Sequence, residues 1–352
     1  MRVLLVSVDK FYYVGAFFRR ALEELGYEYA FVDEGKFLEL LKRSLLHKVA
    51  YRLLGRRPLT YWTFNKELLQ KVQKFQPDVV LVTKGANISP RTLHMIKKKT
   101  GAFLVNYATD DPFNPRVSTR DLVKGIPLYD LYVCTKRAIM EDVRRAGCQN
   151  VVFVRFGYEP TLHFPERPAT PEEAERFSSD VVIIGNADED RVPYFEALAK
   201  IPGLKLHLYG GYWDRYPSLR RYYRGFALGR AYRLALGGAK IAICLVRRAN
   251  RDGHCMRTFE IPACGAFMLA ERTEEHLELF AEDREAAYFG SPEELVDKVQ
   301  YYLQHEEERQ RIAEAGHRQV MEGRHTYKDR LVEILTVVEK LTSDGSRRNE
   351  PS

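Results

Sequence analysis

The chain has 352 residues, 45% hydrophobic and 29% charged, which is ordinary for a globular protein and long enough for two domains with a core each. No run of about 18 apolar residues occurs, which excludes a membrane-spanning helix. The five cysteines form no CxxC pair, which speaks against a disulfide framework or a zinc site and for a reducing, cytoplasmic setting.

VLLVSV, residues 3–8, is an apolar run too short for a signal-peptide core and reads as a first buried strand. Helical apolar spacing over 16–25 stops at Gly26, and YEYAFVD (27–33) is a second strand. This strand–helix–strand opening indicates a parallel sheet. DVVLVTKG (78–85) follows, then a helix with Ser89 as cap and Pro90 as its first residue. AFLVNYATDD (102–111), DLYVCT (130–135), a helix over 137–146 and VVFVRFG (151–157) complete the first half. Four prolines between 160 and 171 mark a linker with a short helix. DVVIIGNAD (180–188) restarts the alternation, with a helix near 193–200 and strands at 204–210, 239–246, 266–270 and 286–290. Ser291 opens a helix with capping-box spacing to Glu294.

The expected division is a first domain over 1–157, a linker over 158–179 and a second domain over 180–330. A helix over 331–341 returns to the first domain, and a disordered tail covers 342–352. Two Rossmann-like α/β domains face to face make a cleft, lined by loops that follow strand carboxyl ends.

The net charge of +7 fits nucleic acid, an anionic membrane or a phosphate-bearing ligand. Without zinc-finger spacing, an RNP motif or a lysine tail, nucleic acid is set aside. The stretch 37–51 is basic and amphipathic, either a helix on anionic lipid at the inner membrane face or an ordinary packed helix.

The most informative loop is RDGHCMRTFEIPACGAFML, 251–269. Pro262 is tolerable only near a helix start, which places Arg257, Thr258 and Glu260 at a helix N-terminus. Free N–H groups there bind phosphate, arginine grips pyrophosphate bidentately, and a carboxylate bonds a ribose diol. The same spacing is met by an acid that stabilises a helix end while Arg257 makes a surface ion pair. Asp110-Asp111-Pro112 resembles a metal-binding acid pair, but no third ligand stands at ligand spacing, so no metal site is expected. Asp110 then lines an acceptor site, or the pair only makes a turn. Gly15 either lets a ligand approach the backbone or merely starts a helix. Tyr209, Gly210, Gly211, Tyr212 and Trp213 follow a strand, where an aromatic stacks on a base or packs at the edge. His254 is read as an exposed loop histidine.

MRTFEIPACGAFMLAER resembles the R-x-F-E-x-x-A-C-G-A signature of the CgeB-like, or spore-maturation-protein-like, glycosyltransferases, relatives of the group 1 or family 4 enzymes of GT-B fold. PDVVLVTKG, NYATDDP, YDLYVCT, VRFGYEPTLHFP, LHLYGGYW and HTYKDR match the same group in order, over roughly residues 1 to 340. The resemblance implies a nucleoside-diphosphate sugar as donor substrate, a glycan or other acceptor, no metal cofactor and a retaining outcome. In family 4 relatives an E-x7-E pair frames the donor: Glu260 matches the second acid, on the ribose, and Asp252 stands in for the first. Relatives also place cations after the first strand of the second domain. Here Gly185, Asn186 and Arg191 occupy that loop, no lysine follows, and Arg257 takes the second charge. An epimerase or hydrolase acting on a nucleotide-sugar, or a scaffold that only binds nucleotide, are the alternatives.

Overall fold

A computed structural model describes residues 1–37, 51 and 56–347. The chain divides into two compact units. The first comprises Met1–Arg155, Ala249–Arg251 and Tyr327–Ser352, and the second Phe156–Arg248 and Asp252–Thr326.

The first unit holds a six-stranded sheet of order β2-β1-β3-β4-β5-β6. Its strands are β1 (Arg2–Ser7), β2 (Glu28–Asp33), β3 (Val79–Thr83), β4 (Phe103–Ala108), β5 (Leu131–Cys134) and β6 (Val151–Phe153). All pairings are parallel; Val3 sits opposite Tyr29 on one side and Val79 on the other. Every residue of β3 and β5 is buried, as expected where helices cover both faces. The helix Val14–Glu24 packs on the C-terminal helix Tyr327–Arg347, with the Phe17 ring 4.9 Å from that of Tyr327. That C-terminal helix runs on to Arg347, past the Leu341 limit drawn from the sequence. Ser89 caps the helix Pro90–Thr100 by accepting the Thr92 N–H at 2.9 Å.

The second unit holds a five-stranded parallel sheet of order β11-β10-β9-β7-β8. The strands are β7 (Ser179–Ile184), β8 (Leu206–Tyr209), β9 (Ala239–Cys244), β10 (Met268–Glu271) and β11 (Ala287–Phe289). Trp213, Phe195, Leu208 and Leu269 are fully buried in its core. All eleven described strands coincide with apolar runs of the sequence, β1 and β7 beginning one residue before theirs and β10 ending one residue after.

Numbered within each unit, both sheets share the order 2-1-3-4-5. The order reverses between β1 and β3 in the first and between β7 and β9 in the second. Loops leaving neighbouring strands at such a reversal diverge to opposite faces and open a crevice at the carboxyl edge. In the second unit that crevice lies beyond Ile184 and Cys244.

Candidate functional site

Two guanidiniums converge at the carboxyl end of β7. Arg191 precedes the helix Val192–Leu198 and is 3% exposed. Its Nη1 donates to the Asn186 carbonyl at 3.0 Å and its Nη2 to the Leu245 carbonyl, just beyond β9, at 3.0 Å. Arg257 Nη2 donates to the same Leu245 oxygen at 3.3 Å. A Cβ on Gly185 would stand 3.3 Å from Arg257 Nη1 and 3.4 Å from Arg191 Nη1. Gly185 thus leaves bare backbone under both cations. Asp188 Oδ2 lies 3.6 Å from Arg191 Nε and 3.6 Å from Arg247 Nε. Burial, and next the charge of Arg257, hold the Arg191 guanidinium down to about 10. Arg191 and Arg247 share the Asp188 carboxylate, and with Arg257 beside Arg191 they form a cationic cluster that a bound anion would help neutralise.

Glu260 lies on the helix Arg257–Ala263 and is buried. The Tyr232 hydroxyl donates to its Oε2 at 2.7 Å, and His163 Nε2 stands 3.6 Å from Oε1. His163 Nδ1 accepts the Glu159 N–H at 3.0 Å, so Nε2 carries the ring proton of the neutral form and faces the carboxylate. Burial keeps the His163 imidazole neutral to lower pH than usual. Tyr232 and His163 were missed by sequence reasoning. Tyr232 lies 28 residues from Glu260, with no periodicity to link them.

Several sequence expectations need correction. The helix that begins at Arg257 is only seven residues long, with Pro262 in its last turn. The N–H groups of Thr258, Phe259 and Glu260 already bond the carbonyls of Cys255 and Met256 at 3.0–3.1 Å. No row of free donors stands ready for a phosphate there, so the guanidiniums and not the helix end are the candidate anion site. Thr258 is fully buried and its hydroxyl faces His276 Nε2 at 2.8 Å. Tyr209 is 3% exposed and offers no stacking face, whereas Tyr212 and Phe226 are 48% and 65% exposed. His254 is fully buried, not an exposed loop residue.

The glycines have packing reasons. Gly210 has φ +120°, and a Cβ there would lie 2.4 Å from the Gly185 carbonyl oxygen. Only glycine permits that conformation and that approach. Asn186 Oδ1 accepts the Gly211 N–H at 2.7 Å and ties the same two strand ends. Gly15 lies in the helix Val14–Glu24, where a Cβ would collide with Ser7 Oγ at 2.1 Å; the close approach it permits is of helix to strand. Asp252 is half-buried in the loop before Arg257, and its N–H donates to the Arg247 carbonyl at 3.3 Å.

Asp110 belongs to the first unit, beyond β4, where Lys84 Nζ pairs with its Oδ2 at 2.9 Å. Lys84 has φ +68°, held by its N–H to the Tyr107 carbonyl at 3.0 Å and by Asn106 Nδ2 on its own carbonyl at 3.1 Å. Nearby, burial pushes the Glu34 carboxyl up. Asp111 instead receives Arg251 through both oxygens, at 2.7 and 3.1 Å, and the Phe113 N–H at 2.9 Å. It shapes the turn at Pro112. Among the described residues no three His, Cys, Asp or Glu side chains gather as a metal site requires, and no helix is long and apolar enough to cross a membrane. The basic stretch over 37–51 lies outside the described residues except at its two ends.

Residues 191–336 match the family described as glycosyl transferase-like. The chain is 24% identical to the spore protein CgeB of Bacillus subtilis over 279 residues, 72% of this chain and 81% of that one. The structure of Anabaena HepE in complex with UDP superposes with a TM-score of 0.62 at 13% identity, covering 97% of this chain and 100% of that one. Sucrose-phosphate synthase from Thermosynechococcus elongatus gives 0.67 at 10% identity, covering 98% and 100%. A glycosyltransferase from Rickettsia africae gives 0.60 at 15% identity, covering 97% and 98%. Family match, relative and fold agree: the chain is a glycosyltransferase of GT-B type, similar to the CgeB group.

Proposed function

We propose that the second unit binds a nucleoside-diphosphate sugar and that the enzyme transfers its sugar to a glycan or other hydroxyl acceptor. The observation that carries this reading is the convergence of Arg191 and Arg257 over bare backbone at Gly185, beyond the β7/β9 reversal. Guanidiniums bond diphosphate oxygens bidentately and stabilise the charge that grows on the leaving nucleotide. They do so without a metal ion, and metal independence is part of the proposal. Glu260, held by Tyr232, is oriented to accept from a ribose diol. Tyr212 and Phe226, exposed beside Gly211, offer aromatic faces to the base. Asp252 is assigned to the donor sugar and a retaining outcome on the resemblance to family 4 enzymes. Asp110, paired with Lys84, is assigned to the acceptor. Action in the cytoplasm, at the inner membrane face through the 37–51 stretch, completes the reading.

HepE has been crystallised with UDP and with UDP-glucose, which makes uridine nucleotides the first to test. A thermal shift with UDP, GDP, ADP and TDP is expected to raise the melting temperature with one base. No shift with any of the four overturns donor binding. Nucleotide release that needs no acceptor would make the enzyme a hydrolase. Release unaffected by EDTA, with loss of transfer in Asp110→Asn, is the outcome expected here.

A further inference from the structure

The loop that leads into Arg257 is held from behind by two buried histidines. Both come with a fixed proton. His254 Nε2 accepts the Phe156 N–H at 3.0 Å, so its ring proton lies on Nδ1, which faces Glu275 Oε2 at 2.5 Å. His276 Nδ1 faces the Glu271 carbonyl at 2.7 Å. A carbonyl only accepts, so this nitrogen carries the proton and Nε2 accepts from the Thr258 hydroxyl at 2.8 Å. The Thr258 oxygen then takes the Cys255 N–H at 3.1 Å. Both rings serve as neutral Nδ1–H tautomers, and burial favours that state for His276.

The same short segment after β10 grips the loop a third time. Thr273 caps the helix Glu274–Leu279 by accepting the His276 N–H at 3.1 Å. Its hydroxyl also lies 2.5 Å from the Gly253 carbonyl. The Glu275 carboxyl occupies the space where a Gly253 side chain would be, with Cδ 2.4 Å from that Cβ position. Backbone groups of Gly253 and Cys255 and the side chains of His254 and Thr258 are therefore fixed by residues 273–276. Arg257 lies between the tethered Cys255 and Thr258, and Glu260 follows two residues after Thr258.

We propose that His254, His276 and Thr258 are positioning residues, which set the loop 252–256 and through it the placement of Arg257 and Glu260. The inference rests on the donor reading for its functional half, whereas the tethering itself is measurable without any ligand. Hydrogen–deuterium exchange on the full, ligand-free chain is compared for the wild type, Thr258→Val, His276→Ala and His276→Gln. Val keeps the shape of Thr258 and deletes only its hydroxyl; Gln carries both a donor and an acceptor to replace the imidazole pair. Thr258→Val and His276→Ala are expected to speed exchange over 252–260 while strands β7 and β9 stay protected. They should also weaken whichever of UDP, GDP, ADP or TDP binds by about tenfold, the worth of one lost buried hydrogen bond. His276→Gln should restore affinity to within about threefold of the wild type. Unchanged exchange over 252–260 overturns the proposal. So does faster exchange spread evenly over the second unit, or local release that leaves nucleotide affinity intact. If the wild type binds none of the four nucleotides, the donor reading fails, and the exchange comparison alone still decides whether the tethers hold the loop.

Discussion

Arg257→Met separates a ligand-binding cation from a structural one, because the two roles give opposite signs for stability. The guanidinium makes one hydrogen bond to a carbonyl that Arg191 also serves, and its Nε has no partner among the described residues. Arg191 is held down to about 10, more than two units below the ordinary arginine value, first by burial and then by Arg257. At about 1.4 kcal/mol per pH unit, these effects together oppose its charge by roughly 3 kcal/mol. Removing Arg257 relieves the second of them but also takes a cation from beside Glu260, so the two effects offset each other, and methionine keeps most of the packing. The variant should therefore melt at the wild-type temperature or slightly above. Two charge-assisted bonds to a diphosphate, at about 1.5 kcal/mol each, amount to roughly a hundredfold in affinity. Isothermal titration of the variant with the nucleotide that stabilises the wild type reads this directly. A drop in melting temperature beyond about 5 °C with affinity unchanged would refute the reasoning and make Arg257 a structural residue.

Glu260→Gln keeps an acceptor for the Tyr232 hydroxyl but loses the charge. It should weaken nucleotide about tenfold and leave the fold intact by circular dichroism, with Glu260→Ala weaker still; loss of folding in both would return Glu260 to a structural role. Gly210→Ala places a Cβ against the Gly185 carbonyl in a backbone region reserved for glycine, and should lower urea-unfolding stability by about 2–4 kcal/mol. His207 is buried on β8, and burial, with Arg224 and Lys205 behind it, brings its imidazole down to about 4. Below its ordinary value near 6.5 the unfolded chain takes up a proton that the folded chain refuses. Stability contributed by this residue is complete above about pH 6.5 and falls as the pH drops toward 4, by up to about 1.4 kcal/mol per pH unit. His207→Phe should flatten that part of the stability–pH curve, and an unchanged slope would show that other groups carry it.

The fold was legible because a doubly covered parallel sheet needs apolar strands, and such runs stand out against polar loops. VVLVT in β3 and SDVVII in β7 announce themselves in this way. So does the Ser89-Pro90 helix start, whose capping chemistry is local. The candidate site was legible in part. Gly185, Arg191, Arg257 and Glu260 were named because they sit beside strand ends or inside a signature that a resemblance supplies. What each side chain faces was not written in spacing. Thr258 and Glu260 are two residues apart on one short helix, yet one turns to His276 and the other to Tyr232. Tyr209 was named for stacking, but it ends a strand whose residues are all buried.

Periodicity and local turn chemistry, then, determined from the sequence alone where the strands lie and which loops leave the carboxyl edge of each sheet. Only the tertiary structure decided how those loops are used. Strand order alone puts Arg191 and the Leu245 carbonyl together. Burial, which no linear spacing encodes, turned His254 from a loop residue into a neutral tether. Long-range packing likewise moved the candidate anion site of the 251–269 motif to paired guanidiniums over Gly185, because its helix end had already bonded its own N–H groups.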